Sequence, residues 1–138
     1  MKRVAKCHCG NLSVIANGEP SPVLMCHCEL CQRRTGTSYN LGARYAEGDI
    51  TAQGETKLYA RTGDTNSRVE FYLCPNCGSN VFGKAPEIQH GKVCVAVGWL
   101  LCRSRVSGTY DVAFWNAAPH VANHAKKSPK LRRRARQC

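Results

Sequence analysis

The chain has 138 residues, 43% of them hydrophobic and 21% charged, with a formal charge of +11 and a mean hydropathy of −0.38. That length suits one domain with a real core rather than two, and the composition excludes the disordered, fibrous and membrane-spanning classes. Ten cysteines are the outlying feature. No apolar stretch precedes the first cysteine pair, so no secretory signal is read, a cytoplasmic and reducing setting is expected, and metal ligation is favoured over disulfides.

In chain order, Cys7-His8-Cys9-Gly10 comes first. Leu12, Val14 and Ala16 then alternate with their neighbours, which predicts a half-buried strand before a turn at Asn17-Gly18. Pro20 and Pro22 keep the chain extended through 23–25 into Cys26. Residues 29–34 are predicted to make one or two helical turns ended by Gly36, so Cys26-His27-Cys28-Glu29-Leu30-Cys31 lies on a strand-to-helix corner. Segments 39–45, 50–52 and 56–61 read as short strands separated by Gly-containing turns. Residues 63–66 predict a hairpin loop, and Val69, Phe71 and Leu73 share one face of the strand that runs into Cys74.

Past the knuckle Cys74-Pro75-Asn76-Cys77-Gly78, segments 80–83 and 93–97 read as strands, and 110–115 is the last candidate. Short strands with turn punctuation and little helical periodicity predict an all-β domain of antiparallel hairpins over residues 1–125. Residues 126–138 carry seven Lys or Arg and no acid, and predict a basic, disordered tail.

Zinc takes thiolate sulfur in tetrahedral geometry, and two-sulfur turns followed by glycine supply such ligands in pairs. Cys7 and Cys9 with Cys74 and Cys77 are therefore expected to close a structural site, pinning the first strand to the middle of the sheet across a long loop. Cys26, Cys28 and Cys31 supply three sulfurs and leave a tetrahedral ion one ligand short, as in a catalytic zinc. Three thiolates leave such a site near one net negative charge, which suits thiolate exchange better than hydroxide generation. The alternative is a second closed site completed by Cys94, Cys102 or a histidine. His27 sits between two ligands and is badly placed for that, Cys94 alternates with Val93 and Val95 as in ordinary strand packing, and His8 and His27 are expected beside the metals or on the surface.

Cys7-His8-Cys9-Gly10, the stretch from Cys26 to Gly36, residues 68–71, Cys74-Pro75-Asn76-Cys77-Gly78-Ser79 and Val95-Ala96-Val97-Gly98 together resemble the family of glutathione-dependent formaldehyde-activating enzymes, whose domain also occurs in centromere protein V. The resemblance runs from about residue 6 to residue 100. It implies a β-tent fold and two zinc ions per chain, a structural one on Cys7, Cys9, Cys74 and Cys77 and a catalytic one on Cys26, Cys28 and Cys31. It also implies a carbon-sulfur lyase class of activity, with glutathione as thiol co-substrate and S-hydroxymethylglutathione as the adduct. After Gly98-Trp99 the chain departs from the family pattern with Leu100-Leu101-Cys102-Arg103-Ser104-Arg105 and the basic tail.

Two function classes follow. In the first, a zinc enzyme acts on thiol adducts of small aldehydes, with Arg33 and Arg34 near the metal as partners for substrate carboxylates. In the second, both metals are structural and the Lys/Arg tail contacts nucleic acid or another polyanion through counterion release. No membrane partner is expected.

Overall fold

The structure is a computed structural model that describes residues 1–20, 22–63, 65–100 and 113–115. Two sheets carry the fold. The smaller has the order β1 (Lys2–Lys6), β2 (Ser13–Asn17), β5 (Ile50–Gln53), all antiparallel. The larger has seven strands, named in chain order: β3 (Val23–Cys26), β4 (Asn40–Ala46), β6 (Lys57–Thr62), β7 (Arg68–Leu73), β8 (Asn80–Lys84), β9 (Lys92–Ala96) and β10 (Ala113–Trp115). Their spatial order is β10-β3-β4-β9-β8-β7-β6. One short helix, α1 (Glu29–Thr35), joins β3 to β4 and ends at Gly36, whose N–H bonds the Gln32 carbonyl.

The all-β, largely antiparallel class expected from the alternation is the class observed. From β2 to β9 the predicted segments lie within a residue or two of the observed ones; of the last candidate, 110–115, the described part is β10, and 110–112 lie outside the described residues. Three features differ. β1 was not read, because one of its two inward residues, beside Ala5, is Arg3; that side chain is 8% exposed and donates to the Gly18 carbonyl (2.8 Å) and to Glu19 (2.6 Å), so a cation takes a position that alternation assigns to an apolar residue. The strand through Val14 belongs to the smaller sheet, so it is not pinned to the middle of a single sheet as expected. And β10 pairs with β3 in parallel, from a distant stretch of chain, which no hairpin reading anticipates.

The core lies between the sheets. Leu12, Val14 and Ala16 from the smaller one meet Ala43, Tyr45, Val81, Val93 and Val95 from the larger one, all nearly or fully buried. Because side chains alternate along a strand, the opposite face of β4 and β9 carries Gly42, Arg44, Cys94 and Ala96, and these residues line a cavity instead. Gly42 makes room for its neighbour: a Cβ there would stand 2.2 Å from the Cys94 sulfur.

Candidate metal centres and the cavity

The two glycine-ended turns converge as the spacing predicts. In the first, the Cys7 N–H bonds the Leu12 carbonyl (2.9 Å) and the Gly10 N–H closes on the Cys7 carbonyl (3.1 Å). The second repeats this, with Cys74 N–H to the Ser79 carbonyl and Gly78 N–H to the Cys74 carbonyl, both at 2.9 Å. Gly10 and Gly78 have φ of 83° and 72°, the left-handed region that only glycine enters without strain. The His8 N–H donates to the Ser79 hydroxyl (3.2 Å) and ties one turn to the other.

The four sulfurs of Cys7, Cys9, Cys74 and Cys77 all lie within 4.8 Å of one another, with Cys7–Cys9 and Cys9–Cys74 at 3.6 Å. A tetrahedral zinc with bonds of about 2.3 Å needs sulfur–sulfur edges of about 3.8 Å. The spacing fits that edge and is far too long for a disulfide bond, and every described cysteine is free. Donors already point at the sulfurs. The Leu12 N–H lies 3.2 Å from the Cys7 sulfur, and the Ser79 hydroxyl, 3.2 Å away, leads the effects that lower the Cys77 thiol to about 5.

The second cluster occupies the strand-to-helix corner. Cys26 ends β3, Cys28 is the N-cap of α1 with its sulfur accepting from the Cys31 N–H (3.4 Å), and Cys31 is buried in the first turn. Their sulfurs also lie within 4.8 Å of one another. A hydrogen bond from Cys31 lowers the Cys26 thiol to about 5, while that same contact and burial push the Cys31 thiol up. Without a cation the trio must share protons; a divalent ion lets all three ionise together. Donor chemistry and spacing thus fit a soft, tetrahedral metal such as zinc at both clusters.

Among the described residues no fourth ligand closes the trio. Cys94 stands outside the three-sulfur group although it lines the same cavity, and burial pushes its thiol up to about 11. It is an ordinary residue of β9, as expected, on the cavity side of the strand, packed against Gly42, while the valines beside it take the core side. Cys102 and the tail 126–138 lie outside the described residues. His27 is buried, its Nδ1 donating to the Ser38 carbonyl (3.0 Å), and Gln32 Nε2 donates to the His27 carbonyl (2.7 Å). His8 is exposed.

Cys26, Cys28 and Cys31 open onto a cavity of about 460 Å³, within the roughly 300–1,000 Å³ typical of small-molecule sites. None of the four sulfurs of the first cluster lines it. Arg34 reaches this cavity from α1. Its guanidinium donates to Asn80 Oδ1 (2.8 Å) and Asn40 Oδ1 (2.6 Å) and stacks 4.4 Å over the Phe71 ring. Burial lowers its pKa somewhat while the Cys31 sulfur pulls it back up. Arg33 goes elsewhere: it lies on the exposed face of the helix, paired with Glu29 one turn back (2.5 Å), and does not line the cavity. Arg44 and Arg61, which sequence reasoning missed, do line it. The only signal for Arg44 was its place between core-facing Ala43 and Tyr45.

The chain is an all-β domain with one four-cysteine and one three-cysteine cluster, each spaced so that it could hold a metal ion, the three-cysteine one facing a cavity. The family described as "Glutathione-dependent formaldehyde-activating enzyme" matches residues 2–118, and the chain belongs to that family. Among solved structures, a Rhodobacter sphaeroides protein is similar at 18% identity with a TM-score of 0.55, over 81% of this chain and 99% of that one; at such identity the likeness concerns the fold. No curated protein matches the chain. No helix among the described residues is long and apolar enough to cross a membrane.

Proposed function

We propose that the chain is a zinc-dependent carbon-sulfur lyase of the glutathione-dependent formaldehyde-activating type, joining or separating a thiol and a small aldehyde. The observation that carries this reading is the asymmetry between the clusters: three sulfurs open onto a cavity, whereas the other four form a complete set away from it. Family membership supports the same chemistry. Cys7, Cys9, Cys74 and Cys77 would hold the structural ion, and Cys26, Cys28 and Cys31 the second.

Held by Cys26, Cys28 and Cys31, zinc would supply the means to keep a substrate thiol ionised at neutral pH. The protein does the rest by placement. The cavity walls confine thiol and aldehyde to one small volume, turning an encounter in solution into a neighbouring-group event. Arg34, fixed by Asn40, Asn80 and Phe71, presents a positive charge beside Cys31, which favours ionised sulfur at this end of the cavity. In the forward direction the thiol sulfur bonds to the carbonyl carbon, the carbonyl π pair moves to oxygen, and oxygen gains the proton that sulfur gave up. No oxidant or reductant is required.

The test is the rate at which glutathione and formaldehyde equilibrate with their adduct in the presence of two-zinc protein. Acceleration that disappears in Cys28→Ser while the fold persists is expected. An unchanged rate, with no thiol perturbing the spectrum of cobalt-substituted protein, would favour a binding module instead; in that case deleting residues 126–138 should abolish polyanion binding.

A further inference from the structure

Three arginines, Arg34, Arg44 and Arg61, line the cavity, and the one carboxylate among its described lining residues, Glu70, is engaged elsewhere. Among the described residues, none of Arg34, Arg44 and Arg61 forms an ion pair. The Nε of each is buried without a hydrogen-bond partner there. The other charged side chains on the wall are spoken for. Lys84 is paired with Glu47, and both oxygens of Glu70 are taken, by Arg68 Nε (2.8 Å) and the Tyr72 hydroxyl (2.9 Å). Buried or half-buried cations without an opposite charge nearby are costly, so a site that keeps several suits an anion that is not part of the chain.

The metal site does not supply enough of that anion. Three thiolates around a divalent ion leave one net negative charge, and Arg34, beside Cys31, offsets it. Arg44 lies directly across the β4–β9 ladder from Cys94, but burial pushes that thiol up to about 11, so it is neutral at physiological pH and balances nothing. Among the described residues, Arg61 meets the Thr62 carbonyl (3.1 Å) and the Phe71 ring (5.7 Å to its centroid) and no carboxylate. Two positive charges therefore remain on the wall. A guanidinium is the side chain best matched to a planar, two-oxygen anion.

We propose that Arg44 and Arg61 bind carboxylate groups of the same molecule that the three-sulfur site takes by its thiol, so that the chain selects carboxylate-bearing thiols over neutral ones. This rests on the thiol-lyase reading above for what happens at the sulfur end, and adds two specificity-determining residues at the other.

The experiment is calorimetric binding to the zinc-loaded full chain of three probes: glutathione, its diethyl ester (free thiol, carboxylates capped) and S-methylglutathione (free carboxylates, thiol capped). Glutathione should bind at least about tenfold more tightly than the ester, since a charge-assisted hydrogen bond contributes about 1.5–3 kcal/mol. Arg44→Gln and Arg61→Gln should each shrink that preference severalfold, and Arg44→Lys and Arg61→Lys should keep part of it, because charge survives while the two-pronged geometry does not. The Lys variants carry the test should the Gln variants lose zinc or fold.

Equal affinity for glutathione and ester, or a preference that none of the four variants alters, overturns the proposal; absence of binding by all three probes overturns it together with the lyase reading. S-methylglutathione binding as tightly as glutathione, with the preference over the ester and its loss in the variants intact, removes the thiol reading and leaves the carboxylate assignment standing.

Discussion

The two cysteine clusters are built from the same atoms and differ in how far apart in the sequence those atoms lie. Cys9 and Cys74 are 65 positions apart and belong to turns of two different sheets, so an ion shared between them closes a long loop and staples one sheet to the other. Cys26, Cys28 and Cys31 all sit on one corner and close only local loops; an ion there cannot hold distant parts of the chain together. By loop-closure entropy an ion in the first arrangement would act as a staple, and one in the second would be free to keep an exchangeable position. The cavity follows that division, since it opens onto the local cluster and avoids the stapling one.

The comparison breaks most visibly if the stapling cluster is removed. Cys74→Ser, or chelation of that site, should forfeit most of the roughly 5–15 kcal/mol that holds a domain of this size, because the sheets lose their cross-link and a buried cysteine loses its ion. Thermal unfolding followed by circular dichroism, with zinc content measured alongside, should show loss of the cooperative transition. Cys28→Ser should behave differently. Serine is itself a good N-cap and can accept from the Cys31 N–H as the cysteine does, so the fold should stay within about 1–2 kcal/mol of the parent while one zinc and thiol binding are lost. Equal destabilisation by the two substitutions would erase the distinction between staple and site.

A smaller effect sharpens the boundary between core and cavity. Gly42 and Cys94 meet on the cavity face of β4 and β9, and a methyl group at position 42 would collide with the Cys94 sulfur at 2.2 Å. Gly42→Ala should therefore cost about 1–3 kcal/mol in urea unfolding. Adding Cys94→Ala should return most of that loss, a coupling that a double-mutant cycle would measure. Simple additivity would mean the two positions do not share the space.

The sequence was most legible where local rules and tertiary demands agree. Leu12, Val14 and Ala16 alternate and are buried, glycine follows each two-sulfur turn and has positive φ, and the seven cysteines divide into four and three as their spacing implies. It was least legible where a residue's role depends on a partner far away in the chain. Alternation at Val93-Cys94-Val95 says that Cys94 faces away from the valines, but only the packing of the smaller sheet decides that the valines take the core and Cys94 the cavity. Arg44 and Arg61 are unremarkable basic residues in strands; the curvature that brings both to one cavity is a property of five strands together, from β4 across to β6. Arg3 was hidden for the converse reason, a charged residue turned inward because Gly18 and Glu19 receive it.

The smallest expected effect tests two neighbours that composition cannot tell apart. Arg33 and Arg34 are adjacent on a helix of about two turns that carries Cys31, and a successive step of about 100° around a helix axis sends their side chains to different surroundings. The Arg33 pair with Glu29 is more than 70% exposed on both sides, so solvent screens it and its loss in Arg33→Ala should move stability by no more than about 0.3–0.5 kcal/mol. Arg34→Ala removes two hydrogen bonds and the stack on Phe71 from a mostly buried guanidinium, and should cost about 2 kcal/mol or more while weakening thiol binding. Glutathione affinity measured on both variants decides the matter. If Arg33→Ala weakens it as much as Arg34→Ala does, the bound molecule extends out of the cavity and over the exposed face of the helix.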